Sequence, residues 1–235
     1  MNILILGING DIGHAIFKKI YNQKDEYYLT YSKKKPNVNY KNVNFIKIDF
    51  LKLEALETSL KKLKNIFFDI IINNVGDSNP YKKFEKLNFL EIKKSLNINF
   101  LSPMKIIFEL IKKAIIKKKS IYIINISSNT IKFIGSKNNL PYFLSKNSLD
   151  SFLIYISKHY SKNKIKVNII RPGLIRTKKT TPLKNYSVSI FKKREKIVPI
   201  GKAGSADDIA NLVNFLLQES SKYICGQIIS VAGGE

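Results

Sequence analysis

The strongest constraint in this 235-residue chain is a repeated alternation: short apolar runs rich in Ile and Val are separated by longer segments of helical period. "NILIL" is followed by "AIFKKIYN", then by "YYLTY", "VNFIKI", "LEALETSLKKL" and "FFDIII". Strands alternating with helices argue for right-handed βαβ units and a parallel sheet. The pattern continues through a helical stretch over residues 89–118, the strand-like "SIYIINIS", a helix beginning near Tyr142 and the strand "IKVNII". A last helix near "ADDIANLVNFLLQ" and the strand "QIISV" bring the count to about seven strands. The expected fold is α/β, one doubly wound parallel sheet flanked by helices.

With 44% hydrophobic residues and nothing that reads as an interdomain linker, residues 1–235 are expected to bury one core as a single domain. The first strand begins at Asn2 with no basic leader before it, and the apolar runs are far shorter than a membrane span of roughly 18 residues. A soluble, cytoplasmic protein without a membrane partner is expected. The single cysteine, Cys225, has no partner for an internal disulfide and no Cys or His neighbours for a zinc site, so no metal is expected.

The formal charge of +24 points at first to nucleic acid or an acidic partner. All but three of the 41 basic residues are lysine, however, scattered along the whole chain among many Ile and Asn, which share A/T-rich codons. Nucleic-acid readers rely on arginine's planar fork and cluster their charge on one element. Solvated surface lysines are the better reading, and no nucleic-acid partner is expected.

Gly7, Gly10 and Gly13 follow the first strand and open a helix. In that setting glycines let the backbone turn tightly and present helix N-terminal amides to a pyrophosphate; taken alone, the turn reads equally well as structural.

The remaining motifs resolve the ambiguity, because together they resemble the short-chain dehydrogenase/reductase family, in order and at the expected separations from residue 2 to residue 234. "DIIINNVG" (69–76) resembles the family's Asn-Asn-Ala-Gly segment, "IINISS" (123–128) the strand ending in its catalytic serine, and "YFLSK" (142–146) its Tyr-x-x-x-Lys. "VNIIRPGLIRT" (167–177) resembles the Pro-Gly segment beside the nicotinamide, and residues 199–234 the C-terminal helix, strand and Gly-Gly ending. The resemblance implies a Rossmann-like fold and a nicotinamide dinucleotide. Its expected contacts are Gly7, Asn9, Gly10, Asp11, Ile12 and Gly13 in the first turn, then Ser32, Lys33, Asp49 and Phe50. Asn74, Val75, Gly76, Tyr142, Lys146, Pro172, Gly173, Ile175 and Thr177 complete the set.

The chemistry can also be argued from residue types. Tyr142 and Lys146 are four apart and share a helix face. An ammonium near a phenol favours the phenolate and is expected to lower the tyrosine's pKa from near 10, making Tyr142 a general acid toward a carbonyl oxygen. Ser128 matches the family's substrate-oxygen hydroxyl, with Ser127 as the neighbouring alternative on the opposite strand face. Asn99 matches the helix asparagine that completes a proton relay in relatives, with a capping or surface amide as its plain alternative. Asp49 resembles the acid that bonds the adenine amino group, or else caps a helix starting at "LKLEAL".

The second strand ends "YLTYSKKKP", with Ser32, Lys33 and Lys34 and no carboxylate, which favours NADP(H) over NAD(H). Residues 178–200 occupy the family's substrate-lid position and carry Lys178, Lys179, Lys192, Lys193 and Arg194. That basic rim would suit an acyl carrier protein or its phosphopantetheine arm, as would Lys119, Lys162 and Lys164. The expected activity is therefore NADPH-dependent reduction of a 3-oxoacyl thioester. Reduction of a sugar, polyol or other small ketone is the alternative, and a catalytically silent sensor or scaffold is the alternative of a different class. By resemblance, the helices around 88–117 and 142–161 predict a homo-oligomer, a dimer or tetramer.

One departure stands in the first turn. "GINGDIG" keeps Gly7 and Gly13 but has Asp11 where the family's middle glycine lies, with Gly10 one position early. A carboxylate there would repel a pyrophosphate, so Asp11 is expected to turn away or to cap the following helix's amides, with Gly10 supplying backbone freedom.

Overall fold

The computed structural model describes residues 1–37, 40–54, 56–178 and 188–235. Seven parallel strands form one sheet: β1 (Asn2–Leu6), β2 (Glu26–Tyr31), β3 (Val43–Lys47), β4 (Ile70–Asn73), β5 (Ile121–Ile126), β6 (Ile165–Pro172) and β7 (Ile228–Val231). Their order is β3-β2-β1-β4-β5-β6-β7. The chain winds outward from β1 to β3, returns to the centre at β4, and then winds the other way. β1 and β4 are therefore hydrogen-bonded neighbours, in register from Ile3 opposite Ile70 to Leu6 opposite Asn73. Beyond their carboxyl ends lies the crevice that such a reversal opens.

The sheet is two-sided because its inner strands are apolar at successive positions. Leu4, Ile5, Leu6, Ile71 and Ile72 are all fully buried, with odd and even positions feeding opposite faces. On one face Leu4, Leu6 and Ile71 pack with α2 (Leu56–Asn65), α4 (Ser102–Ile116) and α5 (Leu140–Tyr160). On the other, Ile3, Ile5 and Ile72 pack with α1 (Asp11–Ile20) and α7 (Ala206–Leu216). Fully burying one such side chain stabilises by about 1.5–3 kcal/mol. Truncating Ile71 or Leu110 to alanine should cost about 2–5 kcal/mol through the cavity left behind.

Helix ends follow local chemistry. Asn88 and Glu91 form a reciprocal capping box at the start of α3 (Phe89–Leu96), and Ser205 and Asp208 form another at α7. The expected continuous helix over 89–118 is interrupted by one π-helical turn, Asn97–Leu101, between α3 and α4. The remaining helix, α6 (Val188–Ile197), lies in the expected lid segment. It is anchored where Phe191 and Val198 pack on Leu174 and where Glu195 pairs with Arg176. Residues 179–187 of that segment, Lys179 among them, fall outside the described residues. No helix among the described residues is long and apolar enough to cross a membrane.

Candidate active site

The first turn is shaped by contact between β1 and β4. Gly7 has φ +83°, and a Cβ there would stand 3.1 Å from the Val75 nitrogen. A Cβ at Gly13 would lie 2.7 Å from both the Gly7 oxygen and the Asn74 amide. Both positions therefore require glycine. Asn74 reinforces the approach by donating its side-chain amide to the Gly7 carbonyl at 2.8 Å. Thr30 secures the other side, its hydroxyl accepting from the Gly7 N–H at 2.9 Å.

Two expectations for this turn are corrected. Gly10 is the N-cap of α1 at φ −82°, ψ 155°, extended backbone open to any residue, so it restores no lost freedom. Asp11 occupies the first helical position, favourable for a carboxylate at the dipole's positive end. No side chain caps α1; instead the Asp11 carboxylate accepts from the backbone N–H of Lys178. A helix offers its first-turn acid an amide only if the side chain folds back, and here the chain leaving β6 presents a nearer one.

A groove of about 910 Å³ runs across the carboxyl ends of the strands. Of the residues expected at a dinucleotide, Gly7, Asn9, Gly10, Asp11, Ile12, Ser32, Lys33, Asp49, Phe50, Asn74, Val75, Gly76, Tyr142, Lys146, Pro172, Gly173, Ile175 and Thr177 line it. Gly13 stands behind the wall it allows to close. Lys47 also lines the groove and was missed by sequence reasoning. Its register opposite Tyr31, one residue before Ser32, brings it to the same end of the groove as Lys33. Asp49 is exposed, and its carboxylate accepts from the Leu51 N–H at 3.0 Å. It closes a turn and does not cap a helix, since α2 begins only at Leu56.

At the middle of the groove, β5 and α5 bring the reactive side chains together. The Ser128 hydroxyl lies beside the Tyr142 phenol and accepts from the Thr130 N–H at 3.3 Å. Ser127, the alternative, points the other way, toward Asp150. Lys146 is buried, with its ammonium 5.9 Å from the Tyr142 ring centre; it donates to the Val75 carbonyl at 2.8 Å and the Ile126 carbonyl at 3.0 Å. The expected depression of the tyrosine is not found. Burial pushes Tyr142 up to about 12, the neighbouring Ser128 hydroxyl pulls it back in part, and the Asp150 and Asp77 carboxylates push it up further.

Asn99 is fully buried in the π-helical turn, which rules out its surface alternative. Its amide donates to the Asp77 carbonyl at 2.9 Å and to the Ser95 carbonyl at 3.0 Å, and its oxygen accepts from the Asp77 N–H at 2.7 Å. It fixes the loop that follows β4 and does not line the groove. Behind the site runs a buried polar chain that the sequence motifs did not disclose. Arg171 pairs with Asp150 at 3.0 Å, Asn125 donates to Asp150 at 3.1 Å, and Asn73 donates to Asn125 at 2.7 Å. Lys119 and Lys164 sit just before β5 and β6, with Lys162 close by, at the amino-terminal ends of the strands, so within one chain they do not border this groove.

Comparison with known proteins agrees with the geometry. A family model described as Enoyl-(Acyl carrier protein) reductase matches residues 7–235. A 3-oxoacyl-[acyl-carrier-protein] reductase of Aquifex aeolicus is 32% identical over 71% of this chain, an alignment spanning 64% of that relative, a little under two thirds of its length. A 2-dehydro-3-deoxy-D-gluconate 5-dehydrogenase of Bacillus subtilis is 32% identical over 77% of this chain and 70% of its own. The crystal structure of a short chain dehydrogenase family protein from Francisella tularensis superposes with a TM-score of 0.86 at 26% identity, covering 99% of this chain and 97% of that one. A parallel sheet with its site at the reversal of strand order, a glycine turn closed by Asn74, and a serine, tyrosine and lysine gathered on one wall have the same explanation as these matches: the chain is an oxidoreductase of the short-chain dehydrogenase/reductase family.

Proposed function

We propose that this enzyme uses NADP(H) to interconvert a carbonyl and an alcohol, with Tyr142 as proton donor and Ser128 as the hydrogen bond to the substrate oxygen. The observation that carries this reading is the meeting of the Ser128 hydroxyl and the Tyr142 phenol in the groove wall, with the buried Lys146 ammonium behind them. The groove fits a dinucleotide because the close approaches that Gly7 and Gly13 permit draw the turn in against Asn74 and Val75 and leave the N-terminus of α1 at the groove, where a pyrophosphate is favoured. Asn74, Val75 and Gly76 would flank the adenine side of that cradle, and Pro172, Gly173, Ile175 and Thr177 the nicotinamide side. When bound, the reduced nicotinamide supplies hydride to the carbonyl carbon.

The chain's own groups manage the proton. Burial keeps Tyr142 protonated at neutral pH, so it can donate to the oxygen as charge develops there. Ser128 holds that oxygen. Lys146, fixed by two carbonyls, stabilises the phenolate left behind and is placed to hold a ribose. Asn99 acts as a positioning residue through the Asp77 loop.

Lys33 and Lys47 at the groove's far end support NADP(H) by offering cations to the extra phosphate, and Ser32 beside them offers a hydroxyl. A 3-oxoacyl thioester is the leading substrate, supported by the name of the Aquifex aeolicus relative. A small keto or sugar acid is the second reading, supported by the name of the Bacillus subtilis relative and by a cleft bearing Arg194. The exposed Phe89, Leu90, Phe108, Ile116 and Tyr155 on α3, α4 and α5 support self-association through those helices. Purified protein tested with NADPH against acetoacetyl thioesters and a ketone panel decides the matter. Turnover of a thioester is expected; silence on every thioester overturns the leading substrate, silence on every carbonyl overturns the reductase reading, and a tenfold preference for NADH overturns the cofactor.

A further inference from the structure

Next to the groove lies a second cleft, of about 210 Å³, lined by Tyr81, Thr130, Phe133, Gly135, Ser136, Asn139 and Arg194. We propose that it binds an anionic group of the substrate, a carboxylate or a phosphate, against the Arg194 guanidinium. The proposal deepens the reductase reading and rests on it for the identity of the reacting carbonyl.

The cleft is built from both sides of the reactive pair. Thr130 gives its N–H to Ser128, and the Asn139 carbonyl accepts from Phe143, the residue after Tyr142, at 3.0 Å. Its walls are held in place. Ser136 donates its N–H to the Asn139 side-chain oxygen at 2.6 Å, Gly135 donates to the Thr130 carbonyl at 2.9 Å, and the Ser136 hydroxyl reaches the Tyr81 hydroxyl at 3.4 Å. Gly135 has φ +80°, and a Cβ there would stand 2.9 Å from the Asn139 oxygen, so the wall depends on its being glycine.

The chemistry of the lining is one-sided. Arg194 brings a guanidinium, Tyr81, Thr130 and Ser136 bring hydroxyls, and Asn139, its oxygen already bonded, offers its amide N–H groups. None of these lining residues carries a carboxylate. Arginine is rare in this chain, and the other two pair with acids: Arg171 with Asp150 and Arg176 with Glu195. Among the described residues Arg194 has no carboxylate partner. Its helix is anchored through Phe191, Val198 and the Glu195–Arg176 pair, so the backbone that carries Arg194 is held beside the cleft, and a guanidinium can meet a carboxylate or phosphate through paired N–H groups.

The test compares wild type, Arg194→Met and Arg194→Lys on two pairs of probes: acetoacetate against ethyl acetoacetate, and acetoacetyl-coenzyme A against the N-acetylcysteamine thioester. Calorimetric binding of acetoacetate and acetoacetyl-coenzyme A is measured alongside. A tenfold or greater fall in the acetoacetate-to-ester ratio of kcat/KM in Arg194→Met, partly restored in Arg194→Lys, is expected for a carboxylate. A fall confined to the second pair assigns the cleft to the phosphate of a carrier arm. Unchanged ratios in both pairs, or no wild-type binding of either anion at millimolar concentration, overturns the proposal. If no carbonyl is reduced but Arg194→Met abolishes anion binding, the cleft stands and the reductase reading falls.

Discussion

The carboxylate of Asp11, on the glycine turn, is hydrogen-bonded to the backbone N–H of Lys178, the residue that leaves the Pro-Gly segment after β6. The contact joins two segments 167 residues apart across one end of the dinucleotide groove. It explains how a carboxylate can stand at this place in the turn, because the side chain is drawn sideways to an amide. The charge nevertheless remains on the groove wall.

Replacing that charge while keeping an acceptor separates the two effects. Asp11→Asn should tighten NADPH binding about three- to tenfold at low salt, with the gain shrinking as ionic strength rises. Fluorescence titration of NADPH reads this directly; weaker binding by Asp11→Asn would mean that the ionised bridge itself shapes the site.

Tyr142→Phe should lower kcat by about 10²–10⁴-fold while leaving NADPH affinity within about threefold, the signature of a lost general acid. Ser128→Ala should lower kcat less, by about 10–10²-fold. Single-turnover kinetics beside NADPH titration separates chemistry from binding, and a Tyr142→Phe enzyme of unchanged turnover would remove the tyrosine from the mechanism.

Lys33→Ala and Lys47→Ala should each raise the KM for NADPH about five- to twentyfold with little change for NADH. The measured quantity is the NADPH-to-NADH ratio of kcat/KM. A ratio unmoved in the double variant would place the extra phosphate elsewhere.

Burial pushes the fully buried Tyr27 phenol up to about 12, where it donates to the Ile20 carbonyl at 2.8 Å and accepts from the Asn22 N–H at 3.0 Å. Above pH 10 the unfolded chain ionises this tyrosine while the folded chain keeps its proton, so the unfolded state binds fewer protons and stability falls as pH rises. The loss from this group should reach about 1.4 kcal/mol per pH unit between pH 10 and 12. Urea melts at pH 9, 10 and 11 should show a shallower decline in Tyr27→Phe, which itself costs about 1–2 kcal/mol at pH 8.

What the sequence made legible was set by local rules. Strand and helix periods predict the doubly wound sheet, glycine spacing marks the first turn, and a four-residue step puts Tyr142 and Lys146 on one helix face. Features that depend on the meeting of distant segments were not legible. Asp11 meets Lys178, Arg171 meets Asp150, and Lys47 joins Lys33 only because β2 and β3 pair in a particular register. The phenol's pKa went the wrong way in the sequence reading for a related reason: spacing reveals the lysine nearby but not the depth of burial around it. The π-helical turn was equally hidden, since its hydrogen-bond pattern leaves the apolar period of residues 89–116 nearly intact.

Helix α5 carries Asn139 at its N-cap, then Tyr142, Lys146 and Asp150, a span of about 16 Å on one rigid rod. The distance from proton donor to the Asn139 wall of the anion cleft is thereby fixed by helical pitch, and no substitution within the rod can lengthen it. Divergence toward other substrates is then confined to the facing wall, where Tyr81 and Arg194 belong to separate segments. Of the two walls, one sets a ruler and the other is free to drift.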